Sequence, residues 1–374
     1  MNLIEILNQT NYTFFFLVVD KFLDINLPQL KNFEKIYISD YPKVLVKNSG
    51  KLLSDPQVID HILKKSQENK STPVIVPFKP SGKVEHLCQK YNWIYAANPA
   101  NLNRFIEDKI NFYKLCQENN LPTIPIIIDE FNQDNFLKYQ QALTSNLVIQ
   151  TRFGWAGKST FSGSSWDEIK DKIEIGTSVK YSPLLAGYSL TNNCCLTNLG
   201  LIQSPPALQY TGLSQFTQNP FTTVGRQWPS LASIEITETI KNLTISFSEI
   251  LKKLNYQGFF GLDFFITEDQ VFILECNPRL TASFDFYTQI ETQNNLNPLF
   301  LFHLSQFLPL KIDIDLVEEN KRFYNPNLIG SEITPKDSDN NTVSRYRDFI
   351  PFSPQVNPIE IPPSVIQAAH ETVS

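Results

Sequence analysis

The chain has 374 residues, of which 42% are hydrophobic and 19% are charged, a balance that fits a globular protein of two or three domains. Its net charge of −6, with no run of basic residues, argues against nucleic acid and anionic membranes as partners. Five cysteines and four histidines show no metal-site spacing, and the N-terminus lacks a basic region followed by a long apolar run, so we expect a reduced, cytoplasmic protein.

Strand and helix signals alternate along the first hundred residues. Strands are predicted at Tyr12–Val19, Lys35–Ser39, Pro73–Pro77 and Trp93–Ala96, and helices at Asp55–Gln67 and Ser81–Tyr91. This alternation favours a small parallel sheet with helices on its faces. Phe78–Ser81 follow a predicted strand end, where open α/β sheets bind ligands, although Ser81 is more simply interpreted as a helix N-cap.

A helical region comes next. Asn98 suits its N-cap and Pro99 its first helical position, and Leu121-Pro122 ends it. Lys109 lies on this helix. Taken alone, Lys109 is best interpreted as a solvated surface lysine.

Residues 147–163 predict a strand, a loop and a second strand. We call residues 151–159 the glycine loop, because Gly154 and Gly157 let its backbone N–H groups turn around an anion. Arg152 and Lys158 add positive charge to this loop. The residues alone leave two interpretations open, a phosphate-binding loop and an ordinary hairpin loop.

Residues 203–229 are predicted to form a long loop that contains Gly, Pro and one arginine, and such loops in compact domains are often functional. Arg226 within it suits the carboxylate or phosphate of a substrate, and it equally suits a structural salt bridge. An amphipathic helix is predicted at 231–255 and a core helix at Pro298–Phe307. Residues 313–374 are Pro-rich, and we expect a strand or two there, ending in a frayed terminus.

Residues 256–283 predict a hairpin with an unusual polar face. Its aromatic and β-branched strands are expected at Phe259–Thr267 and Val271–Asn277, and Pro278 stops the second strand. Asp263 is the lone charge inside the otherwise apolar first strand.

The register of this hairpin decides which side chains meet. Side chains alternate across a strand, so Glu275, Asn277 and Arg279 project to one face. A three-residue turn at Glu268–Gln270 would set Asp263 directly opposite Glu275. A turn of two or four residues would send the two carboxylates to opposite faces. We expect the three-residue turn.

Two carboxylates and an amide on one face suit a hard cation. Mg²⁺ prefers oxygen ligands and usually takes one or two protein carboxylates together with substrate phosphates. Asp263, Glu275 and Asn277 are therefore candidate metal ligands. Arg279 can bind a phosphate through two hydrogen bonds from its guanidinium. The alternative is an ordinary hairpin with a solvated polar face, but a Glu-x-Asn-Pro-Arg run with an upstream Asp is unusually specific.

This run, with Asp263 upstream, resembles the metal-binding core of the ATP-grasp superfamily, and the resemblance extends over about residues 100–310. It implies that Asp263, Glu275 and Asn277 hold Mg²⁺, or Mn²⁺ in its place, on ATP. It also implies that Arg279 faces the reacting phosphoryl or acyl phosphate group.

The implied fold class is α/β (α+β), with a small N-terminal parallel domain followed by a two-lobed ATP-grasp fold. The expected divisions are an N-terminal domain at 1–98, a first lobe with the glycine loop at 99–185, a second lobe with the metal site at 186–312, and a C-terminal extension at 313–374.

The resemblance also assigns residues to the nucleotide. It implies that Lys109 reaches the phosphates and that the glycine loop, with Gly154 and Gly157, covers them. Gln150 stands where relatives usually carry a phosphate-binding lysine. We therefore expect another cation to compensate, with Arg152 mattering more for nucleotide binding and Lys158 more for loop closure.

Residues 179–196 resemble the hinge between the two lobes that clamp adenine. Backbone groups near Pro183 and Leu185 are implied to bind the adenine edge. Ser189 is implied to bind the ribose hydroxyls, and both Ser182 and Ser189 stand where relatives often carry acids.

The implied chemistry is Mg-dependent, ADP-forming ligation. A carboxylate attacks the γ-phosphate to give an acyl phosphate, and an amine then displaces phosphate. Small-molecule carboxylates and amines are the expected partners, and Arg279 and Arg226 are the candidate catalytic residues. Assembly into a homodimer stays open. Two other classes stay open: a phosphotransferase on the same fold, and a nucleotide-binding protein without turnover.

Overall fold

Three sheets built from successive stretches of the chain organise the computed structural model, which describes residues 2–27, 29–154, 157–268, 270–337, 339 and 341–349. Its helices are Leu3–Asn8 (α1), Ser49–Leu53 (α2), Pro56–Asn69 (α3), Gly82–Tyr91 (α4), Ala100–Glu107 (α5), Lys109–Glu118 (α6), Gln133–Ala142 (α7), Ile234–Lys253 (α8), Phe284–Gln293 (α9), Leu299–Gln306 (α10) and Leu316–Asn320 (α11). Within the described ranges, none of these helices has the length and apolarity needed to cross a bilayer.

The strands include short ones near the end of the described chain. They are Tyr12–Val18 (β1), Phe33–Tyr37 (β2), Thr72–Pro77 (β3), Ile94–Tyr95 (β4), Ile127–Glu130 (β5), Leu147–Thr151 (β6), Thr160–Gly163 (β7), Ser178–Pro183 (β8), Tyr188–Leu196 (β9), Leu201–Gln203 (β10), Ala207–Thr211 (β11), Thr223–Trp228 (β12), Gly258–Ile266 (β13), Val271–Asn277 (β14), Gly330–Ile333 (β15) and Tyr346–Asp348 (β16). The frayed terminus expected after these strands falls on residues 350–374, which lie outside the described residues.

The N-terminal sheet has the strand order β2-β1-β3-β4, and all its pairs are parallel. Residues 13–18 are buried on both faces of the sheet, as expected for a parallel strand covered by helices on either side. Asp55 caps α3 by accepting a hydrogen bond from Gln57 N. The predicted parallel α/β domain is confirmed.

A second, antiparallel sheet has the order β5-β8-β6-β7, and α7 packs on one face of it. We call this unit the small lobe. Its core is aromatic, with Trp166 lying 5.0 Å from Phe131 and 5.9 Å from Phe136 between ring centroids. The glycine loop connects β6 to β7, so it projects from the edge of the small lobe.

The large sheet has the order β14-β13-β9-β11-β12-β15-β16, with β10 paired to β9. One face is apolar and is covered by α5, α6 and α8. The other face is apolar at one end, where Cys195, Phe259 and Trp228 meet α9, α10 and the N-terminal domain. Two or four residues from these apolar positions along the same strands, this face of the sheet becomes polar and carries Thr191, Asp263 and other side chains of the site. This division of one face positions the site.

Aromatic rings join the N-terminal domain to the helices of the large sheet. Phe300 on α10 has ring-centroid distances of 6.2 Å to Phe16, 6.0 Å to Phe33 and 5.7 Å to Phe284, and it is fully buried. Because Phe16 and Phe33 lie on β1 and β2, this contact fixes the N-terminal sheet relative to the large sheet.

We expect Phe300→Ala to lower the free energy of unfolding by about 3–5 kcal/mol, because it removes a buried ring that bridges two units and leaves a cavity. Urea denaturation would measure the loss. Val317→Ala, at a side chain 79% exposed, is the control and should change stability by no more than about 0.5 kcal/mol. A loss at Phe300 as small as that of the control would contradict the bridging role.

Candidate functional site

The hairpin β13–β14 brings the two carboxylates together by a different route from the predicted one. Ile266 pairs with Val271, so the turn has four residues and the predicted three-residue turn is wrong. This register alone would separate Asp263 and Glu275, but a β-bulge next to Asp263 places one extra residue, Leu274, on β14. Asp263 therefore lies directly opposite Glu275, as the sequence analysis expected.

Neighbouring amides hold Asp263 in place. Its Oδ1 accepts a hydrogen bond from Gln209 Nε2 at 3.0 Å, and its Oδ2 accepts one from Asn277 Nδ2 at 3.2 Å. The Oδ1 of Asn277 accepts in turn from Arg279 Nη2 at 3.0 Å. The four predicted residues of this hairpin thus form one connected polar face.

The two carboxylates have opposite electrostatic surroundings. Burial and the charge of Glu275 raise the pKa of Asp263 to about 6. Burial would also raise the pKa of Glu275, but the positive charges of Lys109, Lys180 and Arg279 outweigh it and hold that pKa below its ordinary value. Glu275 is therefore firmly ionised, whereas the ionisation of Asp263 is favoured by any added positive charge.

Lys109 is positioned by the break between α5 and α6. The carboxylate of Asp108 caps α6 and binds the Arg152 guanidinium at 2.7 Å, while Lys109 N donates to Arg152 O. The Lys109 ammonium lies 2.5 Å from Glu275 Oε2 and 3.5 Å from Gly154 O. Lys109 is 6% exposed, so it faces the site and is not the solvated lysine that its helix alone suggests.

Lys180 is a cation of the site that the sequence analysis missed. Its neighbours Val179 and Tyr181 enter the core of the small lobe, so strand alternation turns Lys180 to the opposite face. There it pairs in register with Gln150 and is 4% exposed. Burial and the charge of Lys109 lower the pKa of Lys180 to about 7.

A positive charge thus lies one strand away from Gln150, where the resemblance had led us to expect a lysine. Gln150 itself donates from Nε2 to Thr160 Oγ1 at 3.0 Å. The signal for Lys180 was present in the sequence as a lone charge in the run Ser-Val-Lys-Tyr-Ser, but only the β6–β8 register sets it beside Gln150.

The glycine loop contacts the lobe that carries the large sheet. Gly157 has φ +74°, and a Cβ there would lie 2.8 Å from the backbone carbonyl of Phe221. Asn219 Nδ2 donates to Gly157 O at 3.2 Å. A glycine is therefore required at 157, and the loop bridges the two lobes. Trp155 and Ala156 of this loop lie outside the described residues.

The segment compared with a hinge does connect the two lobes. Pro183 ends β8 in the small lobe, Leu185 lies in the four-residue link, and β9 of the large sheet begins at Tyr188. Ser189 follows on β9, in register with Gln209. The proposed contacts of this segment with adenine and ribose stay predictions.

Arg279 is fixed at the junction with the N-terminal domain. Its Nε donates to Glu107 Oε1 at 3.1 Å, and its guanidinium lies over the Phe78 ring at 5.6 Å. Lys79 lies 2.5 Å from the same Glu107 carboxylate. Burial raises the pKa of Glu107, but Arg279 and Lys79 outweigh it and hold that pKa low. The carboxyl end of β3 therefore reaches the site.

The long loop predicted at 203–229 is wrong, because this segment contains β11 and β12 of the large sheet. Arg226 lies on β12, in register with Gln209 on one side and Glu332 on the other. Its Nη1 is 3.2 Å from Glu332 Oε1, and its side chain is 13% exposed. Two roles were considered for Arg226, substrate binding and a structural salt bridge. The structure shows the salt bridge.

The donor set fits a divalent cation that is shared with a substrate. Two carboxylates and an amide oxygen are hard oxygen ligands of the kind Mg²⁺ prefers. No cluster of three or more His, Cys, Asp or Glu side chains with metal-binding placement occurs in the described parts of the chain. A metal at Asp263 and Glu275 would thus need further oxygen atoms from its substrate.

Comparison with known proteins identifies a family for the segment that carries the hairpin. Residues 106–283 match a family model described as an ATP-grasp domain. No curated protein matches the chain in sequence.

Solved structures of similar fold include carboxyaminoimidazole ribonucleotide synthases and a biotin carboxylase domain. Carboxyaminoimidazole ribonucleotide synthase of Aspergillus clavatus, complexed with ATP, is 12% identical with a TM-score of 0.58, and the match covers 87% of this chain and 82% of that one. N5-carboxyaminoimidazole synthetase of Staphylococcus aureus, complexed with ADP, is 14% identical with a TM-score of 0.58, over 88% and 83% of the chains. The biotin carboxylase domain of Hydrogenobacter thermophilus 2-oxoglutarate carboxylase, in complex with MgADP and bicarbonate, is 12% identical with a TM-score of 0.57, over 86% and 74%. The predicted fold class is confirmed.

We expect Lys180→Met to stabilise the ligand-free protein at about pH 6 and much less at about pH 10. The folded-state pKa of Lys180, about 7, lies below the ordinary 10.5, so the folded protein binds fewer protons than the unfolded chain between these values. The free-energy cost of burying the Lys180 ammonium is therefore present in full below pH 7, and it disappears above pH 10.5.

Melting temperatures of the variant and wild type at the two pH values would measure this difference. Lys172→Met, at an exposed position of the small lobe, is the matched control. An increase in melting temperature that is equal at both pH values would contradict the assigned cause.

Proposed function

Residues 106–283 of this chain are an ATP-grasp domain, and from that premise we propose that the protein is an ATP-dependent, ADP-forming ligase that joins a carboxylate to an amine. The observation that carries the proposal is the face on which Asp263 lies opposite Glu275, within reach of the charges of Lys109, Lys180 and Arg279. The enzymes of similar fold are described as synthases, synthetases and a carboxylase, which supports ligation by analogy of fold.

ATP would lie between the two lobes. The link with Pro183 and Leu185 would hold the adenine, and Ser189 the ribose. The glycine loop would close over the phosphates. Asp263, Glu275 and Asn277 would hold Mg²⁺, which supplies positive charge to the phosphate oxygens.

The ion pair between Lys109 and Glu275 would change when the nucleotide binds. In the structure each neutralises the other at 2.5 Å. A phosphate oxygen near Lys109 would replace Glu275 as its partner, and the released carboxylate oxygen would become available to the cation. This exchange keeps every buried charge neutralised, which limits the desolvation cost of binding.

The reaction itself needs positioning and charge more than a reactive side chain. The substrate carboxylate would attack the γ-phosphorus in line, breaking the bond to the β-phosphate oxygen and releasing ADP. Arg279 is held in place by Glu107 and Asn277, so it would meet the acyl phosphate without a loss of side-chain freedom. An amine would then attack the acyl carbon, and inorganic phosphate would leave.

The deciding experiment is a screen for ADP release with amino acids and small carboxylates, offered singly and in pairs with Mg²⁺ and ATP. Release that requires both partners supports a ligase. Release with a hydroxyl compound and no hydroxylamine-trapped acyl phosphate would favour a phosphotransferase on the same fold. Nucleotide binding with no release from any pair would favour a binding protein without turnover.

We expect Glu275→Gln to fold normally and to lower ADP release on the order of 100-fold, because size is kept while the charge at the cation is lost. Magnesium should also stop adding to the thermal stabilisation that ATP gives. Glu249→Gln, on the exposed face of α8, is the control. Near wild-type ADP release from Glu275→Gln would show that Glu275 is not a metal ligand.

Lys180 and Arg152 are the two candidates for the cation that Gln150 does not supply. The Arg152 guanidinium is 44% exposed and already paired with Asp108, whereas Lys180 is buried beside Gln150. We therefore expect Lys180→Met to weaken ATP binding about tenfold or more, and Arg152→Ala to weaken it less. Calorimetric titration with Mg²⁺ and a non-hydrolysable ATP analogue would rank them, and the opposite order would assign the role to Arg152.

A further inference from the structure

A cluster of four cations lies beyond the metal face, on the strands at the other edge of the large sheet. Its members are Arg226 on β12, Lys336 after β15, and Arg345 and Arg347 at β16. We call these four side chains the cationic cluster. The three arginine side chains are 13%, 11% and 19% exposed, so all are largely removed from water.

Two buried carboxylates pair with the cluster. Glu332 lies 3.2 Å from Arg226 and 3.3 Å from Arg347, and Asp285 lies 3.1 Å from Arg345 and 2.5 Å from Arg347. Four cations thus face two carboxylates.

Asp20, whose side chain is 37% exposed, is a further acid that acts on Lys336 through its charge, and Asp263 of the metal face interacts with the charge of Arg226. With Asp20 counted, the cluster itself holds four cations against three carboxylates.

This excess of positive charge affects the pKa of Lys336, a member of the cluster. Burial and the charges of Arg226 and Arg345 lower the pKa of Lys336 to about 8. Arg345 Nε is buried and lies 3.9 Å from Glu332 Oε2, too far for a hydrogen bond, and it has no hydrogen-bond partner among the described residues. Buried charges are normally neutralised and their donors satisfied, so a network that served only to hold the chain together would be expected to balance.

The cluster continues the polar face that carries the metal ligands. Gln209 binds Asp263 and pairs in register with Arg226. Arg226 pairs in turn with Glu332, and Glu332 pairs with Arg347. Neighbouring strands are about 4.8 Å apart, so Arg226, three strands from Asp263, lies roughly 14 Å away along the sheet. A small metabolite can span that distance.

The N-terminal domain turns its strand ends toward the same space. After β1 the chain brings the Phe22 ring under the Arg345 guanidinium, at 5.9 Å, and after β3 it brings Phe78 under Arg279. Carboxyl ends of parallel strands are where open α/β sheets bind ligands. The cationic cluster and Arg279 therefore face one region from its two ends.

We propose that the cationic cluster binds an anionic group, a carboxylate or a phosphate, carried by the second substrate at the end remote from its reacting group. This assignment of substrate class rests on the proposed ligase function, but anion binding at the cluster requires no turnover. The bound oxyanion neutralises the excess charge and accepts from Arg345 Nε. Arg226 then serves in the same ion pair and in substrate binding.

Lys336→Gln is the sharpest test, because the Lys336 ammonium donates to Thr342 Oγ1 and, among the described residues, forms no ion pair with Glu332 or Asp285. Calorimetric titration with succinate and with inorganic phosphate would use protein saturated with Mg²⁺ and a non-hydrolysable ATP analogue, which occupies the nucleotide site. We expect the wild type to bind one of the two anions, and Lys336→Gln to weaken that binding about tenfold or more. The variant should melt no lower than wild type, since it removes a repelled, half-buried charge.

Lys252→Gln, at a lysine 68% exposed on α8, should leave anion binding unchanged. Preference for succinate would identify a carboxylate, and preference for phosphate a phosphate ester. The proposal is overturned if the wild type binds neither anion, if Lys336→Gln binds as tightly as Lys252→Gln, or if Lys336→Gln loses stability with unchanged binding.

A second measurement separates this proposal from the ligase function. Each substrate that supports ADP release would be compared with its analogue in which the remote acid is amidated or dephosphorylated. We expect the analogue to raise KM at least tenfold in the wild type and to have little further effect in Lys336→Gln. Anion binding without any ADP release would contradict the ligase alone, and ADP release that is indifferent to the remote anion would contradict the cluster alone.

Discussion

The whole site depends on one electrostatic constraint, the placement of two carboxylates side by side on a partly buried sheet face. Asp263 and Glu275 repel each other, and burial makes that repulsion more costly than it would be in water. The fold compensates with cations drawn from three separate segments: Lys109 from a helix N-terminus, Lys180 from the small lobe and Arg279 from the end of the same hairpin. Bringing these charges together requires the two lobes to close on each other, so the electrostatic balance and the two-lobed shape are linked.

The same sheet face also explains how a second substrate would reach the site. Where the face is apolar, Cys195, Phe259 and Trp228 bury against α9, α10 and the N-terminal domain. Where it becomes polar, the strand ends of that domain bring the Phe78 ring against Arg279 and the Phe22 ring against Arg345. One continuous set of strands thus anchors the N-terminal domain by hydrophobic burial and leaves a charged strip beside it.

Some elements of the structure were predictable from sequence patterns, and others were not. The parallel N-terminal domain, α8, α10 and the hairpin strands were predictable because their apolar periodicity and end signals are local. The meeting of Asp263 with Glu275 was also predicted, but from a three-residue turn, whereas the molecule uses a four-residue turn and a compensating bulge at Leu274. A bulge depends on what the strand packs against, here including a hydrogen bond from Ile273 N to Pro122 O, and alternation within one strand does not encode it.

By itself the sequence determined the elements and the chemistry of the hairpin, since strand alternation and the oxygen chemistry of Asp, Glu and Asn require no knowledge of distant contacts. Only the tertiary structure decided which distant charges complete the site. Lys180 lies beside Gln150 because β8 pairs with β6, and Arg226 joins Arg345 and Arg347 because β12, β15 and β16 are neighbours. Charge interactions act through space between residues far apart in the chain, so the pairing of strands, rather than their composition, determined where the cations lie.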